Sequence, residues 1–578
     1  MDFDNFDKSL NHSTSHLLAL AIKTLYPDVK LGFGPSTKEG FYYDFEFSTP
    51  ISNLDLPKIE KLMKKLVSSN LQILQTDGKN IDFSTQIYKK ELLEEFESQN
   101  KNITFYSIVD AKNNILFEDL CVGGHVGEIK NIKHFKLLNI AGAYWRGDSK
   151  NIQLTRIYGT SWHTQEELNS FLALLEERKE RDHRKIGKEL KIFTFTKWFG
   201  LGFPVWLENG MKIHNKIKDK ILAFDKRYGF REVLTPHFGE KHLYETSGHL
   251  AHYRDDMFEP IKAESDYLIP RPMTCPHHIV LFDKAQCSYR QLPYRISEQS
   301  RLYRFEKSGA LTGLERVRSM DLTEGHIFVS RKQIFDECKH LFTMIEEVLD
   351  FFEIKIDYIS FSRRDPEDKS KFYDDEQMWN DAENDLKKFL DSHNVKYVEK
   401  IGEAAFYGPK IDFQIKTALN KEITISTLQL DFLLPKKFNI YFNNENNEKE
   451  TPVLIHRGLI GTYERFISIL LEQTKGVLPF WLSPKQVSVI PILPKHDDYA
   501  EFVRSELAKN NFEVEVDTRD ERITKKIREA QIQKVKYQLI IGDSEVENQK
   551  ITYREYGKQE STTTSLDEFI KLLNSQNV

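Results

Sequence analysis

Apolar residues recur at helical spacing in LNHSTSHLLALAIKTLYP, Leu10 to Pro27, and predict an amphipathic helix near the start of the chain. The stretch that follows, to about Thr160, mixes short helical and strand-like runs. A second helical pattern, Glu166 to Leu190, has an apolar stripe in its first part and little but charge in its second. It reads as an exposed connector. From about Phe193 to Trp481, strand candidates such as YRISEQSRLYRF, HIFVS, IDYISF and KIDFQI are joined by tight turns or loops. That favours an antiparallel sheet. SPKQVSVIPILP opens a last unit, where VSVIPIL, FEVEVD and YQLIIGD alternate with helix patterns at Asp497–Lys509 and Ile523–Lys534. The alternation predicts a small, mostly parallel α/β domain.

Bulk properties narrow the class. The 578 residues exceed what one hydrophobic core supports, so about three or four domains are expected. Hydrophobic residues make up 40% and charged residues 29%, which excludes a disordered chain. No apolar run approaches the ~20 residues that cross a bilayer, so no membrane partner is expected. MDFDNFDKSL is too acidic and polar for a signal peptide. Cys121, Cys275, Cys287 and Cys338 are too few and scattered for a disulfide framework, and a cytoplasmic location fits them. A net charge of −6 argues against indiscriminate coating of nucleic acid, yet leaves room for a local basic face that docks one RNA.

Two segments carry candidate chemistry. In YRFEKSGALTGLERVR, Tyr303 to Arg318, two strand-like runs flank a loop with two glycines and several arginines. A guanidinium holds phosphate or carboxylate through paired hydrogen bonds, so such a hairpin suits a nucleoside triphosphate. A surface hairpin with solvated charges is the plainer alternative. In LIHRGLIGTYERFISILLEQ, Gly458 and Gly461 precede Glu464-Arg465 and an apolar helix, which would fix Arg465 on a buried platform. The alternative there is a buried helix with one charged cap.

YRFE resembles motif 2 of class II aminoacyl-tRNA synthetases, GLIGTYERF resembles motif 3, and KRYGFREVLTP resembles motif 1, the usual dimer contact. RPMTCPHH, AFYGPKIDF and LQLDF narrow the resemblance to the threonyl-tRNA synthetase family, and HSTSH, YWRGDS and RDHRKIGKEL extend it along the chain. Several motifs in the right order are far more specific than any one. The resemblance implies an α+β multidomain protein: an α+β editing-type domain over 1–163, a linker helix over 164–190, a class II catalytic domain over 191–482 and an α/β anticodon-binding domain over 483–578. The catalytic sheet is expected to be antiparallel with six or seven strands. The ubiquitin-like N-terminal domain common in the family is expected to be absent, because HSTSH lies almost at Met1.

The implied reaction joins L-threonine to threonine tRNA through an adenylate, using ATP with Mg²⁺ and a homodimeric enzyme. By resemblance, Arg304 and Arg465 are catalytic. Arg304 would bind the α-phosphate and the amino-acid carboxylate, Glu306 would sit by the adenine amino group, and Arg316 and Arg465 would hold the distal phosphates. Met320 stands where a Phe normally stacks on adenine. Glu324, Tyr407, Lys410 and Gln429 are expected to bind threonine. The family's three zinc ligands fall on Cys275, His326 and His456, implying one Zn²⁺ per chain. Three ligands leave zinc open to a substrate that chelates through amino and hydroxyl groups, which valine cannot do. In the last domain Arg519, Arg522 and Glu545, near loop ends, are candidates for reading the anticodon.

His12, His16, Cys121 and His125, with Asp119 beside them, resemble the family's editing site. Without the family, HxxxH on a helix plus CxxxH reads as a zinc site; in the family the cluster positions water and the mischarged ester. The chain departs from the pattern here. CVGGH replaces CRGPH, so Val122 and Gly124 stand for Arg and Pro, a family lysine falls on Phe105, and the loop from Asp110 to Asp119 looks shortened. Hydrolytic editing of seryl-tRNA is therefore expected to be weak or lost, unless another cation such as Lys112 or Arg146 takes over. The synthetic pocket departs too: Thr274 replaces Asn, Leu322 and Glu324 replace Gln and Asp, and Gly458 replaces Ala. Two rival readings stand beside the ligase. One is a catalytically silent, RNA-binding relative, which would be free to lose Arg304, Arg465 and the zinc set. The other is a synthetase for proline or serine, which does not account for that set.

Overall fold

The computed structural model describes residues 6–148 and 150–577, so Ser149 of YWRGDS lies outside the described residues. The chain divides into two compact units, Met1–Glu177 and Arg178–Val578.

In the first unit, α1 (Lys8–Leu25) starts where the Asp7 carboxylate accepts the N–H groups of Ser9 and Leu10. Next come β1 (Lys30–Leu31), β2 (Phe41–Glu46), α2 (Leu56–Val67), β3 (Gln72–Thr76), α3 (Ile87–Ser98), β4 (Phe105–Val109), β5 (Ile115–Leu120), β6 (His134–Tyr144), β7 (Gln153–Trp162) and α4 (Gln165–Arg181). The strands form two antiparallel sheets, β1-β2-β7-β6 and β3-β4-β5. Leu17, Leu18 and Ile22 of α1 are buried with Phe41, Tyr43 and Phe45 of β2, so the helical spacing in the sequence matches a core-facing stripe.

The connector differs from expectation. It is not one helix: it breaks at Asp182, whose carboxylate caps α5 (His183–Glu189) by accepting the Arg184 N–H. His183 and Ile186 are buried, so the charged half is not a solvated rod. His183 Nδ1 meets Glu472 Oε1 at 2.6 Å and its Nε2 accepts the Leu314 N–H at 3.0 Å. A buried histidine with both ring nitrogens engaged anchors what reads, by charge alone, as surface.

The second unit is built on an eight-stranded sheet. Its elements are α6 (Glu208–Arg227), β8 (Arg231–Glu232), α7 (Cys275–Ala285), β9 (Tyr294–Tyr303), β10 (Ser319–Val329), α8 (Ile334–Phe351), β11 (Tyr358–Arg363), α9 (Glu376–Ser392), β12 (Tyr397–Ile401), β13 (Lys410–Lys416), β14 (Glu422–Asp431), β15 (Val453–Thr462) and α10 (Tyr463–Thr474). The strand order is β8-β9-β10-β15-β14-β13-β11-β12. The inner pairs are antiparallel, but both edge pairs, β8–β9 and β11–β12, are parallel. The antiparallel core is as expected, but the sheet has eight strands rather than six or seven, and its two edge pairs are parallel. The crossover through α9 brings β12 alongside β11, and β8 is too short to show in a periodicity. Leu341, Ile345 and Val348 of α8 and Phe466 and Leu470 of α10 bury against Phe413, Leu428 and Ile455 of the sheet.

The last part of the chain contains β16 (Val487–Pro491), α11 (Asp497–Lys509), β17 (Val514–Val516), α12 (Ile523–Ile532), β18 (Tyr537–Ile541), α13 (Asp543–Asn548), β19 (Lys550–Glu555), β20 (Ser561–Ser565) and α14 (Leu566–Asn574). Its sheet order is β17-β16-β18-β19-β20. The β16 pairs are parallel, while β18–β19 and β19–β20 are antiparallel. The sheet is thus mixed rather than mostly parallel, because the polar KITYRE and STTTS runs form a hairpin.

Candidate functional site

His326 and His456 face one another across the β10–β15 ladder, as directly opposed residues of an antiparallel pair. Cys275 comes from the first turn of α7, where Pro276 is compatible with helix initiation. The three buried side chains bring one donor atom each within 4.8 Å of one another. Their neighbours fix the imidazole protons. Asp431 Oδ2 lies 2.9 Å from His456 Nε2, so that nitrogen donates and Nδ1 is bare. Glu298 Oε2 lies 3.1 Å from His278 Nε2, so His278 Nδ1 accepts from His326 Nδ1 at 2.9 Å. His326 Nε2 is then bare as well, and it lies 3.0 Å from His456 Nδ1. Two lone pairs at that distance repel unless a cation joins them. The edge of a tetrahedral zinc site with nitrogen ligands is ~3.3 Å. The donor set therefore fits zinc.

Electrostatics agree with this frame. Burial pushes the His326 imidazole well below its ordinary range, which keeps it neutral and able to ligate. Burial also pushes the Cys275 thiol up, with the Glu324 and Asp431 charges adding to it, so its thiolate needs a nearby cation. Behind the triad, Arg271 Nη2 meets Glu298 Oε1 at 2.8 Å with both side chains fully buried, and the Thr235 hydroxyl donates to Glu298 Oε2 at 2.8 Å. His278 and Glu298 were not singled out in the sequence. The repeated histidine in CPHH was the available signal.

A cleft of about 440 Å³ opens on the triad and is also lined by Arg304, Glu324, Tyr407, Lys410 and Gln429. The expected threonine-binding residues therefore meet at the three candidate ligands. Glu324 Oε2 is buried without a hydrogen-bond partner, an acceptor left for a ligand. The Tyr407 hydroxyl donates to Gln429 Oε1 at 2.7 Å, and Lys410 Nζ pairs with Asp412 at 2.8 Å. Leu322 and Gly458 line the same cleft, and a Cβ on Gly458 would approach Thr427 Cγ2 at 3.2 Å. Gly458 thus widens the pocket floor by about a methyl group. His249, missed in the sequence, is fully buried beside the cleft with Nε2 3.9 Å from Cys275 Sγ. Burial holds its imidazole down at about 3.

Arg304 follows β9; its backbone N–H donates to Arg318 O at 2.9 Å and its Nε to Pro272 O at 3.3 Å. Arg316 Nε meets Glu306 Oε2 at 2.8 Å across the motif 2 loop. Arg465 stands in the first turn of α10, capped by Thr462, and donates from Nε to Glu315 O at 3.2 Å. Burial lowers its pKa, against the nearby Glu315 charge. Met320 is buried in a small cluster with Leu302 and Val317. It is not among the residues that line the cleft.

The N-terminal cluster also forms. His12 and His16, one turn apart on α1, meet Cys121 and His125 from the loop after β5, again with donor atoms within 4.8 Å. Gly123 and Gly124 in that loop have φ of +90° and +79°. A proline at 124 is confined to about −65°, so CVGGH takes a path that CRGPH cannot. Val122 is 83% exposed. A buried cation outside the expected candidates stands beside the cluster. Lys89 of α3 ion-pairs with Asp119, both side chains buried, and Asp119 Oδ2 accepts the Tyr43 hydroxyl at 2.6 Å and lies 4.0 Å from His16 Nε2. Arg146 is instead held by Glu91 and Glu95. In sequence Lys89 is one charge in the charged helix YKKELLEEFE, so nothing marked it as buried.

Of the anticodon candidates, Arg519 lines a cleft of about 320 Å³ with Lys485, Lys526 and Gln533. Arg522 is the residue before α12, and Glu545 is locked into the turn at Gly542, accepting the Gly542 N–H at 3.0 Å and the Thr552 hydroxyl at 2.7 Å. Neither lines that cleft.

The mainly antiparallel sheet with its arginine-bearing hairpin, and the separate mixed sheet after it, are the core and anticodon-binding domains of a class II synthetase. Residues 258–474 match the tRNA synthetase class II core domain (G, H, P, S and T). Residues 486–576 match an anticodon binding domain, and residues 103–158 the threonyl and alanyl tRNA synthetase second additional domain. The threonine–tRNA ligase of Mycoplasmopsis pulmonis is 60% identical over 570 residues, 99% of this chain and 97% of that one. That of Staphylococcus aureus is 48% identical over 97% of this chain and 87% of its own. The crystal structure of the RNA binding domain of threonyl-tRNA synthetase from Cryptosporidium parvum superposes with TM-score 0.65 at 36% identity, covering 68% of this chain and 98% of that one. The chain belongs to the threonyl-tRNA synthetase family.

Proposed function

We propose that the chain activates L-threonine with ATP and transfers it to threonine tRNA, and that zinc held by Cys275, His326 and His456 selects the amino acid. The observation that carries this reading is the pair of bare nitrogens 3.0 Å apart in the cleft lined by Arg304 and Glu324. Zinc, when bound, supplies a Lewis-acid position that a β-hydroxy amino acid can fill with two donors and valine cannot. Glu324 Oε2 is free to accept the substrate hydroxyl proton. Arg304 would hold the carboxylate against the α-phosphate; a carboxylate oxygen forms the new bond to that phosphorus and the bond to pyrophosphate breaks, with Mg²⁺, when bound, offsetting the charge of the leaving group. Charge then develops on phosphate oxygens, where fixed guanidinium groups stabilise it without reorganising. Glu306 would receive adenine, and Arg316 and Arg465 the distal phosphates. The tRNA terminal hydroxyl next attacks the adenylate and releases AMP.

On this reading the domains are assigned as editing-type over 1–163, linker over 164–190, catalytic over 191–482 and anticodon-binding over 483–578. A cytoplasmic homodimer fits; no helix among the described residues is long and apolar enough to cross a membrane. Leu234, in the segment resembling motif 1, is 82% exposed beside edge strand β8, as a dimer contact would leave it in one chain. In the N-terminal site the family lysine and arginine are replaced, and Lys89 is spent on Asp119 rather than turned toward an ester. Loss of one oxyanion-stabilising donor lowers hydrolysis roughly 10²–10³-fold, so pre-formed seryl-tRNA for threonine should persist. Clearance much faster than by His12→Ala would overturn this part. For the main reading, Cys275→Ala should lose catalytic-domain zinc and threonine activation together. Full activation by a Cys275→Ala protein without that metal would refute it.

A further inference from the structure

We infer that Trp198, Phe199 and Leu201 form a stacking ledge for the unpaired 3′ end of tRNA, holding its last nucleotides as they enter the cleft at Arg304. The substrate rests on the ligase reading; the residues rest on exposure and geometry alone. The segment TFTKWFGLGFP, 194–204, runs between α5 and α6 and carries one charge, Lys197. Trp198 is 85% exposed and Phe199 63%, the two most exposed aromatic side chains among the described residues, and Leu201 is 62% exposed. None of the three belongs to the core that packs on the eight-stranded sheet. Single exposed apolar residues are ordinary, but three within four positions make a patch that marks a binding surface.

The loop is anchored. The Thr196 hydroxyl accepts the Trp198 N–H at 3.4 Å, and one 3₁₀ turn spans Lys197–Phe199. Gly202 has φ of +81°, and a Cβ there would stand 2.9 Å from Arg318 Cγ and 3.0 Å from Leu311 Cδ2. The chain at Gly202 therefore presses directly on the arginine-bearing hairpin, and its carbonyl accepts the Arg318 N–H at 2.7 Å. From there aromatic surface continues toward the cleft. The Phe203 ring lies 6.2 Å from Phe258, and Phe258 lies 5.4 Å from Phe305, the residue next to Arg304. The Arg318 guanidinium covers Phe305 at 4.7 Å. Cations for a phosphate backbone are at hand: Lys197 and Lys307 are exposed, while the hairpin carboxylates Glu306 and Glu315 are paired with Arg316 and Lys421. Transfer requires the terminal ribose of the tRNA to reach an adenylate held at Arg304, so the unpaired nucleotides before it must cross the surface beside this hairpin. Unstacked bases bind aromatic faces and guanidinium planes without regard to sequence, because every base has a π face.

The test uses full-length protein and two transcripts of threonine tRNA, one complete and one shortened by its unpaired 3′ nucleotides. Stacking of a base on an aromatic side chain is worth roughly 5–100-fold in affinity. The Trp198→Ala/Phe199→Ala variant should therefore bind the complete transcript at least about fivefold more weakly and bind the shortened one as the unaltered protein does. Trp198→Tyr, which keeps a stacking face, should bind the complete transcript nearly as the unaltered protein does. Indole fluorescence of the unaltered protein should be quenched more by the complete transcript than by the shortened one, and that difference should vanish in Trp198→Phe. KM for tRNA in charging should rise in the double variant by the same factor as the loss of affinity, while threonine-dependent pyrophosphate exchange, which needs no tRNA, is kept. Binding and quenching report on the ledge even if no amino acid supports exchange, so a failure of the ligase reading is seen separately. Equal affinity of the double variant and the unaltered protein for the complete transcript, or an equal loss with both transcripts, would overturn the inference. So would a double variant that passes from dimer to monomer in light scattering, which would give the ledge to a second copy of the chain.

Discussion

Replacing Asp431 with Asn tests whether the hydrogen bonds behind Cys275, His326 and His456 set the proposed zinc site. Asp431 is fully buried at the end of β14. Its Oδ1 accepts the N–H groups of Leu433 and Leu434, each at 2.8 Å, and its Oδ2 accepts His456 Nε2–H at 2.9 Å. An asparagine that keeps its oxygen on the two backbone donors must turn its NH₂ toward His456 Nε2. That nitrogen must then accept, which moves the proton to Nδ1, the atom facing His326. The flipped amide would instead set NH₂ against two backbone N–H groups and leave both without an acceptor, at ~1–3 kcal/mol each. The tautomer change is the cheaper outcome. Loss of such an outer partner typically lowers metal affinity ~10–100-fold, or about 1.4–2.7 kcal/mol. Zinc affinity of Asp431→Asn, measured by competition with a chelator of known affinity, should fall by at least that range, and threonine-dependent pyrophosphate exchange should fall with it at limiting zinc. Unchanged affinity would mean that the imidazole protons are not set as deduced.

Three further outcomes are expected. Arg457, whose side chain is fully buried, pairs with Asp225 and lies 4.4 Å above the Phe230 ring, so Asp225→Ala strands a buried guanidinium; calorimetry should show a loss of roughly 3–5 kcal/mol. Burial pushes the Glu298 carboxyl up, but the His278 hydrogen bond, the Arg271 charge and the Thr235 hydroxyl outweigh it and hold the group at about 2, below its ordinary 4.5. A depressed carboxyl stabilises fully above its unfolded pKa and loses that contribution as pH falls through 4.5 to about 2. Acid unfolding should therefore flatten in Glu298→Gln by on the order of 3 kcal/mol across that window, and an unchanged acid limb would count against the assignment. Arg519→Ala should raise KM for tRNA in charging while leaving pyrophosphate exchange intact, because its cleft lies in the last sheet's domain; an equal loss of both would make its role structural.

Much of this was readable in the sequence, for identifiable reasons. Strands such as YRISEQSRLY and KIDFQIK, and the helix Asp497–Lys509, have periods that local pattern captures. Two-residue β8 and the hairpin of β19 and β20 carry too little period to register. The convergence of Cys275, His326 and His456 was not legible from spacing, because His326 and His456 meet only through the register of β10 against β15 and Cys275 arrives on a separate helix. Resemblance located it; the bare nitrogens and their carboxylate partners appear only in three dimensions. Lys89 was hidden for the opposite reason: a lysine in a charged helix reads as solvated, and its burial is set by Asp119 on a distant strand. Met320 packs with Leu302 and Val317, a small cluster that no periodicity in the sequence marks.

The most direct test of the central claim is ATP–pyrophosphate exchange by the zinc-loaded protein, measured across all the common amino acids. Threonine should support exchange strongly, serine weakly, and valine and proline at background. No exchange with any amino acid would leave an RNA-binding relative without ligase activity. Exchange with proline or serine well above threonine would contradict the assignment of Cys275, His326 and His456 as the groups that choose the substrate.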